Sequence, residues 1–240
     1  MKTFFLSFSI LLTTFFSFGQ FQLNNVYSNT KNILGYTAAA REVQFLKRGE
    51  MVTYSLDQIE GYPHLCNKFS NGIITLQNDT IIKIPINYNA FTDAFEFEKE
   101  NTKFIITNNF IIKKIKIEGR EFVYRVFTSR KGEQLDGYFE VIAEGPNCQL
   151  YKKFKKDFLE PVPSETHFNM AKSARFSEID SLYFIGFDED ITYFKTNSKK
   201  NILGSFKNHK DKLSEFLRNR KFSSKNETDL ISLVTFYNSL

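Results

Sequence analysis

Short runs of alternating apolar residues, each closed by a turn signal, dominate this chain, and they commit it to a sheet. Gly72-Ile-Ile-Thr-Leu76 and Ile81-Ile-Lys-Ile-Pro-Ile-Asn-Tyr88 flank Gln77-Asn78-Asp79-Thr80, a hairpin signal. Ile111–Ile117 and Phe122–Phe127 are joined through Glu118-Gly119, a second tight hairpin. Tyr138–Ala143 and Gln149–Phe154 meet through Glu144-Gly-Pro-Asn147, and Leu182–Phe187 and Ile191–Lys195 through Asp188-Glu189-Asp190. Met51–Leu56 reads as a further strand, followed by a turn at Ile59–Pro63. Roughly eight to ten strands at this spacing predict an antiparallel sandwich or partial barrel. Lys114 and Lys116 alternate with Ile115 and Ile117, so that strand has one wet face. Phe95 and Phe97 share the opposite face from Glu96 and Glu98, which with Glu100 read as a wet carboxylate row. Pro85 cannot donate to a ladder, which predicts an edge strand or a bulge there.

Three segments break the strand rhythm. Thr37 reads as the cap of a short helix over residues 38–46, stopped at Gly49. Phe158 to Arg175 holds Pro161 and Pro163 and shows no period, so an irregular loop is expected. From about residue 200 the period becomes helical. Ile202, Leu203 and Phe206, then Leu213, Phe216 and Leu217, precede Leu230, Leu233, Val234 and Tyr237 at i, i+3, i+4, i+7. Ser224 and Glu227 have the spacing of a capping box. The fold class expected is α+β and strand-dominated: one domain over residues 20–240, an antiparallel sheet curled into a sandwich or partial barrel, with two to three C-terminal helices.

The N-terminus reads as an address. Lys2 precedes an apolar stretch from Phe4 to Phe18, and Ser17 and Gly19 occupy the small-residue positions before Gln20. That is the pattern of a secretory signal peptide over residues 1–19, cleaved between Gly19 and Gln20. The run is shorter than the ~20 apolar residues of a spanning helix. No later stretch is apolar enough to span a bilayer, so no transmembrane segment is expected once the leader is removed. Charge argues little: 32 Lys+Arg against 27 Asp+Glu give +5, too mild for a nucleic-acid partner.

Most familiar chemistry is missing from the residue order. The histidines are His64, His167 and His209, with no His-Glu-x-x-His spacing, and Gly-x-Ser-x-Gly and phosphate-cradling glycine loops are absent. No cofactor or metal is expected. His64 and Cys66 could share a strand face as a thiol and its base, but a catalytic thiol also needs an oxyanion site. A single disulfide between Cys66 and Cys148, suited to an oxidising compartment, would add ~4 kcal/mol on the chain-entropy model. Two free buried thiols are the alternative. Asp188, Glu189 and Asp190 lack the ligand spacing of a calcium loop and read as a solvated turn. Lys152, Lys153, Lys155 and Lys156 form the strongest basic run, a candidate surface for anionic lipid or lipopolysaccharide phosphate, or else edge-strand lysines that block aggregation. Tyr62, Pro63, Tyr88 and Asn89 stand near strand ends, where binding loops cluster, although corner packing explains them equally.

One ordered series of motifs stands out: Ile59-Glu-Gly-Tyr-Pro-His-Leu65, Gly72–Leu76, Ile84-Pro-Ile-Asn-Tyr-Asn89, Asp93-Ala-Phe-Glu-Phe97, Gly137–Gly145, Leu150-Tyr-Lys-Lys153 and Glu227–Leu240. The series resembles a family of uncharacterised exported β-rich proteins from Bacteroidota-type bacteria. In the family pattern a basic residue precedes the Tyr-Asn pair, where this chain has Asn87. The resemblance implies an exported envelope protein, periplasmic or outer-membrane-associated, and supplies no activity. The function expected is therefore a non-enzymatic binding or structural role, with an envelope protein or lipid as partner. A carrier of an apolar, lipid-like molecule in a β-lined cavity is the alternative and requires ~300 Å³ of enclosed space. A hydrolase without a recognisable motif ranks below both.

Overall fold

The computed structural model describes residues 34–47, 50–100, 102–164 and 170–240. The expected leader, the Gly19–Gln20 cleavage point expected for it and His167 lie outside the described residues. The strands in chain order are β1 (Tyr36–Ala38), β2 (Glu42–Lys47), β3 (Glu50–Ser55), β4 (Ser70–Leu76), β5 (Ile81–Asn89), β6 (Ala94–Lys99), β7 (Thr102–Ile106) and β8 (Ile112–Ile117). They continue with β9 (Arg120–Thr128), β10 (Gln134–Ala143), β11 (Gln149–Lys155), β12 (Phe158–Leu159), β13 (Arg175–Phe176), β14 (Asp180–Phe187) and β15 (Asp190–Tyr193). Helices α1 (Lys199–Gly204), α2 (Lys210–Asn219) and α3 (Glu227–Asn238) close the chain. The expected strand-dominated α+β class is what the molecule shows.

Eleven strands form one sheet in the order β1-β7-β6-β5-β4-β8-β9-β10-β11-β14-β15. Its neighbouring strands pair antiparallel, and Thr192 of β15 meets Thr128 of β9 in a parallel bridge. That bridge curls β9, β10, β11, β14 and β15 around Val123, Phe127, Phe139, Tyr151, Phe184 and Ile191. The rest of the sheet wraps a second cluster that includes Ile74, Ile86, Tyr88, Phe95, Ile115, Phe122, Tyr138 and Phe154. The sheet as a whole is sandwich-like and does not close into a barrel. β9 and β10 are the shared wall: Phe122 and Tyr138 face one cluster, and their neighbours Val123 and Phe139 face the other. This is strand alternation with both faces buried. T-shaped contacts such as Phe95–Tyr138 (4.8 Å) and Phe139–Phe184 (5.0 Å) fill both interiors.

The hairpins fall where the turn residues place them. Glu118 (φ 49°) and Gly119 (φ 77°) make the two-residue turn between β8 and β9, a mirror-image turn whose twist suits antiparallel strands. β5, by contrast, is an interior strand, and the expectation of an edge or bulge at Pro85 is corrected. The Leu76 N–H to Thr80 C=O bond sets the ladder alternation between β4 and β5. It leaves Pro85 opposite Asn71 at a non-hydrogen-bonded pair, with its nitrogen turned toward β6. Pairing with β6 begins only at Ile86↔Phe97, so no donor is missed.

The helix expected over 38–46 is also corrected. β2 pairs in full register with β3, from Glu42↔Ser55 to Lys47↔Glu50. Val43 is buried beside Ile59, Ala174 and Phe176, and this tertiary burial outweighs the helix propensity of three alanines. The segment from Phe158 to Arg175 begins and ends as a hairpin, with Phe158↔Phe176 and Leu159↔Arg175 paired and a bridge at Val162↔Lys172. The three helices pack Ile202, Phe206, Leu213, Leu217, Leu230, Leu233, Val234 and Tyr237 onto Leu150, Ile185 and Phe187 of the sheet. The cap of α3 is Asn226, whose side chain accepts from the Thr228 N–H, and not Ser224. Among the described residues no helix is long and apolar enough to cross a membrane.

Candidate functional site

The turn between β5 and β6 is the point where most of the candidate residues converge. Asn89 begins it: its Oδ1 accepts the Phe91 and Thr92 N–H groups at 3.0 and 3.1 Å, an Asx turn. Its Nδ2 donates to Glu96 Oε1 at 2.7 Å. His64 Nε2 lies 2.8 Å from Glu96 Oε2, so both carboxylate oxygens are used. Glu96 is 3% exposed, which corrects the expectation that it belongs to a wet row with Glu98 and Glu100. The segment around His64 covers it, bridging antiparallel to Asn89 while Pro63 C=O accepts the Ala90 N–H. Asn87 secures the same segment, donating to Cys66 O (2.8 Å) and Lys68 O (3.1 Å). Asn87 Oδ1 also accepts the Cys66 N–H at 3.4 Å, a bond that a basic side chain, having no acceptor, could not make.

On the other side of the turn the sheet forks. β10 and β11 pair from Ala143↔Leu150 to Glu140↔Lys152, and then β11 leaves to bond Ala90 through the Lys156 N–H. Asp93 and Lys153 fill the gap. Asp93 Oδ1 accepts the Tyr138 N–H at 3.3 Å, and Lys153 Nζ donates to Tyr138 C=O at 3.2 Å, so a side-chain pair replaces the missing ladder bonds. Lys153 Nζ also donates to Asp93 Oδ2 at 2.5 Å, and Tyr88 Oη donates to Asp93 Oδ1 at 2.5 Å. Gly137 makes the fit, because a Cβ there would lie 2.2 Å from Asp93 Oδ2 and 2.4 Å from Lys153 Nζ. The ammonium stands over the rings of Phe127 and Phe139, 5.4 and 4.9 Å from their centroids. Burial pulls the Lys153 pKa below the ordinary lysine value, although Asp93 opposes the shift. Burial and the Asp93 carboxylate hold the Tyr88 phenol well above its ordinary value. With its directions occupied, this lysine is a latch and has no free lone pair with which to attack.

A second polar cluster separates the sheet cores from the helices. Lys152 Nζ lies 2.7 Å from Glu227 Oε2, Tyr183 Oη donates to the same oxygen at 2.9 Å, and Arg120 Nη1 donates to Glu140 Oε2 at 3.4 Å. Burial raises the Glu140 pKa against the pull of Arg120 and Lys152. Burial acts upward on Glu227 too, but hydrogen bonds from Lys152 and Tyr183 bring it below the ordinary value. Two carboxyls pushed apart in this way are the raw material of acid–base chemistry. Here each is tied to a cation, and the adjoining depression of about 420 Å³ is open and lined by Ile179, Ser181, Tyr183, Ser224 and Lys225 among others.

The structure therefore breaks up the basic run. Lys152 and Lys153 are mostly buried and paired with Glu227 and Asp93. Lys155 pairs with Asp157, and Lys156 Nζ donates to Tyr62 C=O at 2.6 Å. Tyr88, Asn89 and Pro63 are buried and Tyr62 is exposed, so these residues make a corner and no continuous binding surface. The disulfide is corrected as well, since Cys66 and Cys148 are free. Cys66 donates to Glu118 at the β8–β9 turn (3.2 Å), while Cys148 packs under the helices, its backbone N–H and C=O both bonded to Asn238. Burial and Glu118 push the Cys66 thiol up to about 11, and burial pushes Cys148 to about 12. His64 is engaged with Glu96 and not with the thiol. Asp188, Glu189 and Asp190 are exposed, as a solvated turn should be. Among the described residues no His, Cys, Asp or Glu group is arranged to hold a metal.

No family model, curated protein or solved structure matches the chain.

Sequence reasoning missed Asp93, Gly137 and Glu140, and set Glu96 on a wet face. Asp93 and Glu96 had a signal, since each is a carboxylate placed at a strand end or among buried aromatics. Their partners lie far along the chain, 60 residues away for Lys153 and 32 for His64, and no local pattern names them.

Proposed function

We propose that this is an exported cell-envelope protein with a non-enzymatic binding or structural role. One observation carries the reading. The ionisable groups inside the fold answer one another, in the pairs Lys153–Asp93, Lys152–Glu227, Arg120–Glu140 and His64–Glu96. Such pairing satisfies each charge within the fold, as structural ion pairs do. Export is supported by the leader pattern at residues 1–19 and by the likeness of the motif series to exported envelope proteins. The interiors support a role on the surface, because aromatic and branched side chains pack them where a carrier needs enclosed space.

The test is recovery of the protein from its native cell, with intact mass measured under native, non-reducing conditions. A chain that starts at Gln20, concentrated in the envelope fraction and carrying both thiols, is the expected result. A full-length chain confined to the cytosol overturns export. Hydrolysis of glycoside, ester or phosphate substrates that Glu140→Gln abolishes overturns the non-enzymatic reading, because Glu140 is the buried carboxyl with the raised pKa.

A further inference from the structure

We infer that the bare outer face of β4, β5 and β8 is a docking surface for an anionic lipid bilayer. The inference rests on the envelope reading above and names the partner. Its basis is the register. Lys83, Ile73 and Lys116 stand in one row across β5, β4 and β8, and Ile81, Thr75 and Lys114 stand in the next. The alternate residues Ile74, Ile82, Ile84 and Ile115 are buried, so the outward set cannot turn in without exposing the core.

Neighbouring strands are covered in part, although Val126 of β9 and Leu135 of β10 are exposed further along the sheet. The His64 segment covers Asn87 and Glu96, the helices cover β11 and β14, and the curl of β9 to β15 encloses its own cluster. The outer face of β4, β5 and β8 is open, yet it is not the polar surface that an open sheet face ordinarily shows. Ile81 is 60% exposed and Ile73 38%, and Pro85 is exposed beside them. Charge complementarity chooses the occupant. Lys114 and Lys116 both reach Glu121 Oε2 at 3.1 Å, so one carboxylate answers two cations. Lys113 pairs with Asp79 at the rim (2.7 Å), and Lys83 has no ion pair among the described residues. Four lysines against two acids leave the face positive around exposed isoleucines. A flat surface of this kind suits the bilayer interface, where shallow apolar contact and headgroup attraction act together.

The experiment is sedimentation of the full mature chain with vesicles of phosphatidylcholine alone or mixed with phosphatidylglycerol. Binding to the mixed vesicles, at least tenfold weaker without the anionic lipid and in 0.5 M salt, is expected. The double variants K83E/K116E and I73S/I81S should each lose binding at least tenfold with unchanged circular dichroism. Lys155→Glu, at an exposed lysine paired with Asp157, should bind as wild type. The chain has no tryptophan, so Ile81→Trp reports directly, and its emission should shift to the blue on anionic vesicles only. Failure of the chain to bind anionic vesicles, or full binding by both double variants, overturns the inference. An envelope-located chain that ignores these vesicles overturns the docking surface alone. A cytosolic chain that binds them overturns the envelope reading alone.

Discussion

At the residue scale the molecule depends on Asp93 and Lys153. Removing one partner strands the other charge against apolar rings, and Tyr138 loses one of its backbone contacts as well. Lys153→Met should destabilise by about 3–5 kcal/mol, the range for breaking a buried pair. Asp93→Asn should cost less, because an amide oxygen still accepts from Tyr138 and Tyr88. The double variant should fall short of the sum of the singles in urea unfolding, as expected for coupled neighbours. Purely additive effects would show that the pair does not act as a unit. The cysteines give a second prediction. With thiols held up at about 11 and about 12, iodoacetamide at pH 8 should label the native protein slowly and the urea-unfolded protein at both sites, read by intact mass. Rapid native labelling at Cys66 would contradict the proton it gives to Glu118. Little of this could be read locally. Four near-consecutive lysines look alike in sequence, and only the fork between β10 and β11 separates Lys153, turned into aromatic rings, from Lys155, turned to solvent.

At the element scale, the helical end is tied to the sheet at two points. Glu227, the first residue of α3, reaches Lys152 and Tyr183. Asn238, the last, holds the β10–β11 loop, its Oδ1 accepting from the Asn147 and Cys148 N–H groups at 2.9 Å each. Asn238→Ala should cost about 2 kcal/mol, since it leaves backbone donors without partners. Gly137→Ala should push Asp93 from Lys153 and destabilise by about 1–3 kcal/mol, read as a lower urea midpoint. The element pattern was largely legible, because turn chemistry and alternation are local: the hairpins at 77–80, 118–119, 144–147 and 188–190 all formed. β2 was not, because its alanine-rich approach favours a helix and only burial of Val43 against Ile59 and Phe176 reverses that. Strand β7, over Thr102–Ile106, also escaped notice, having no turn signal of its own beyond Glu100, which adopts φ 50°.

At the scale of the whole molecule, buried phenols set the alkaline limit. Burial raises the pKa of Tyr88 and of Tyr138 above the ordinary 10.0. A folded-state pKa above the unfolded one gives stability that is complete below about pH 10 and lost as pH rises past it. Lys153, shifted down, contributes in the opposite sense, gaining stability as pH rises, but it is one group against two phenols. The urea midpoint should therefore hold to pH 9 and fall steadily above pH 10, and Tyr138→Phe should blunt that fall. A midpoint that is flat to pH 12 would contradict the burial of these hydroxyls. The strand-dominated architecture with terminal helices was visible in the sequence. The sharing of one wall between the two sheet cores was not, since it depends on β9 and β10 presenting apolar residues on both faces, which periodicity cannot distinguish from an irregular strand.

That shared wall also orders events in time. The first core is lined by β4 to β8 but completed by Tyr138 and Phe154, which arrive much later in synthesis. The N-terminal half thus emerges with Ile86, Tyr88 and Phe95 uncovered, and it cannot close until the chain has passed Lys156. Such long-range closure slows folding, and on the proposed export route slowness is useful: the polypeptide stays threadable until about two thirds of its 240 residues have been delivered.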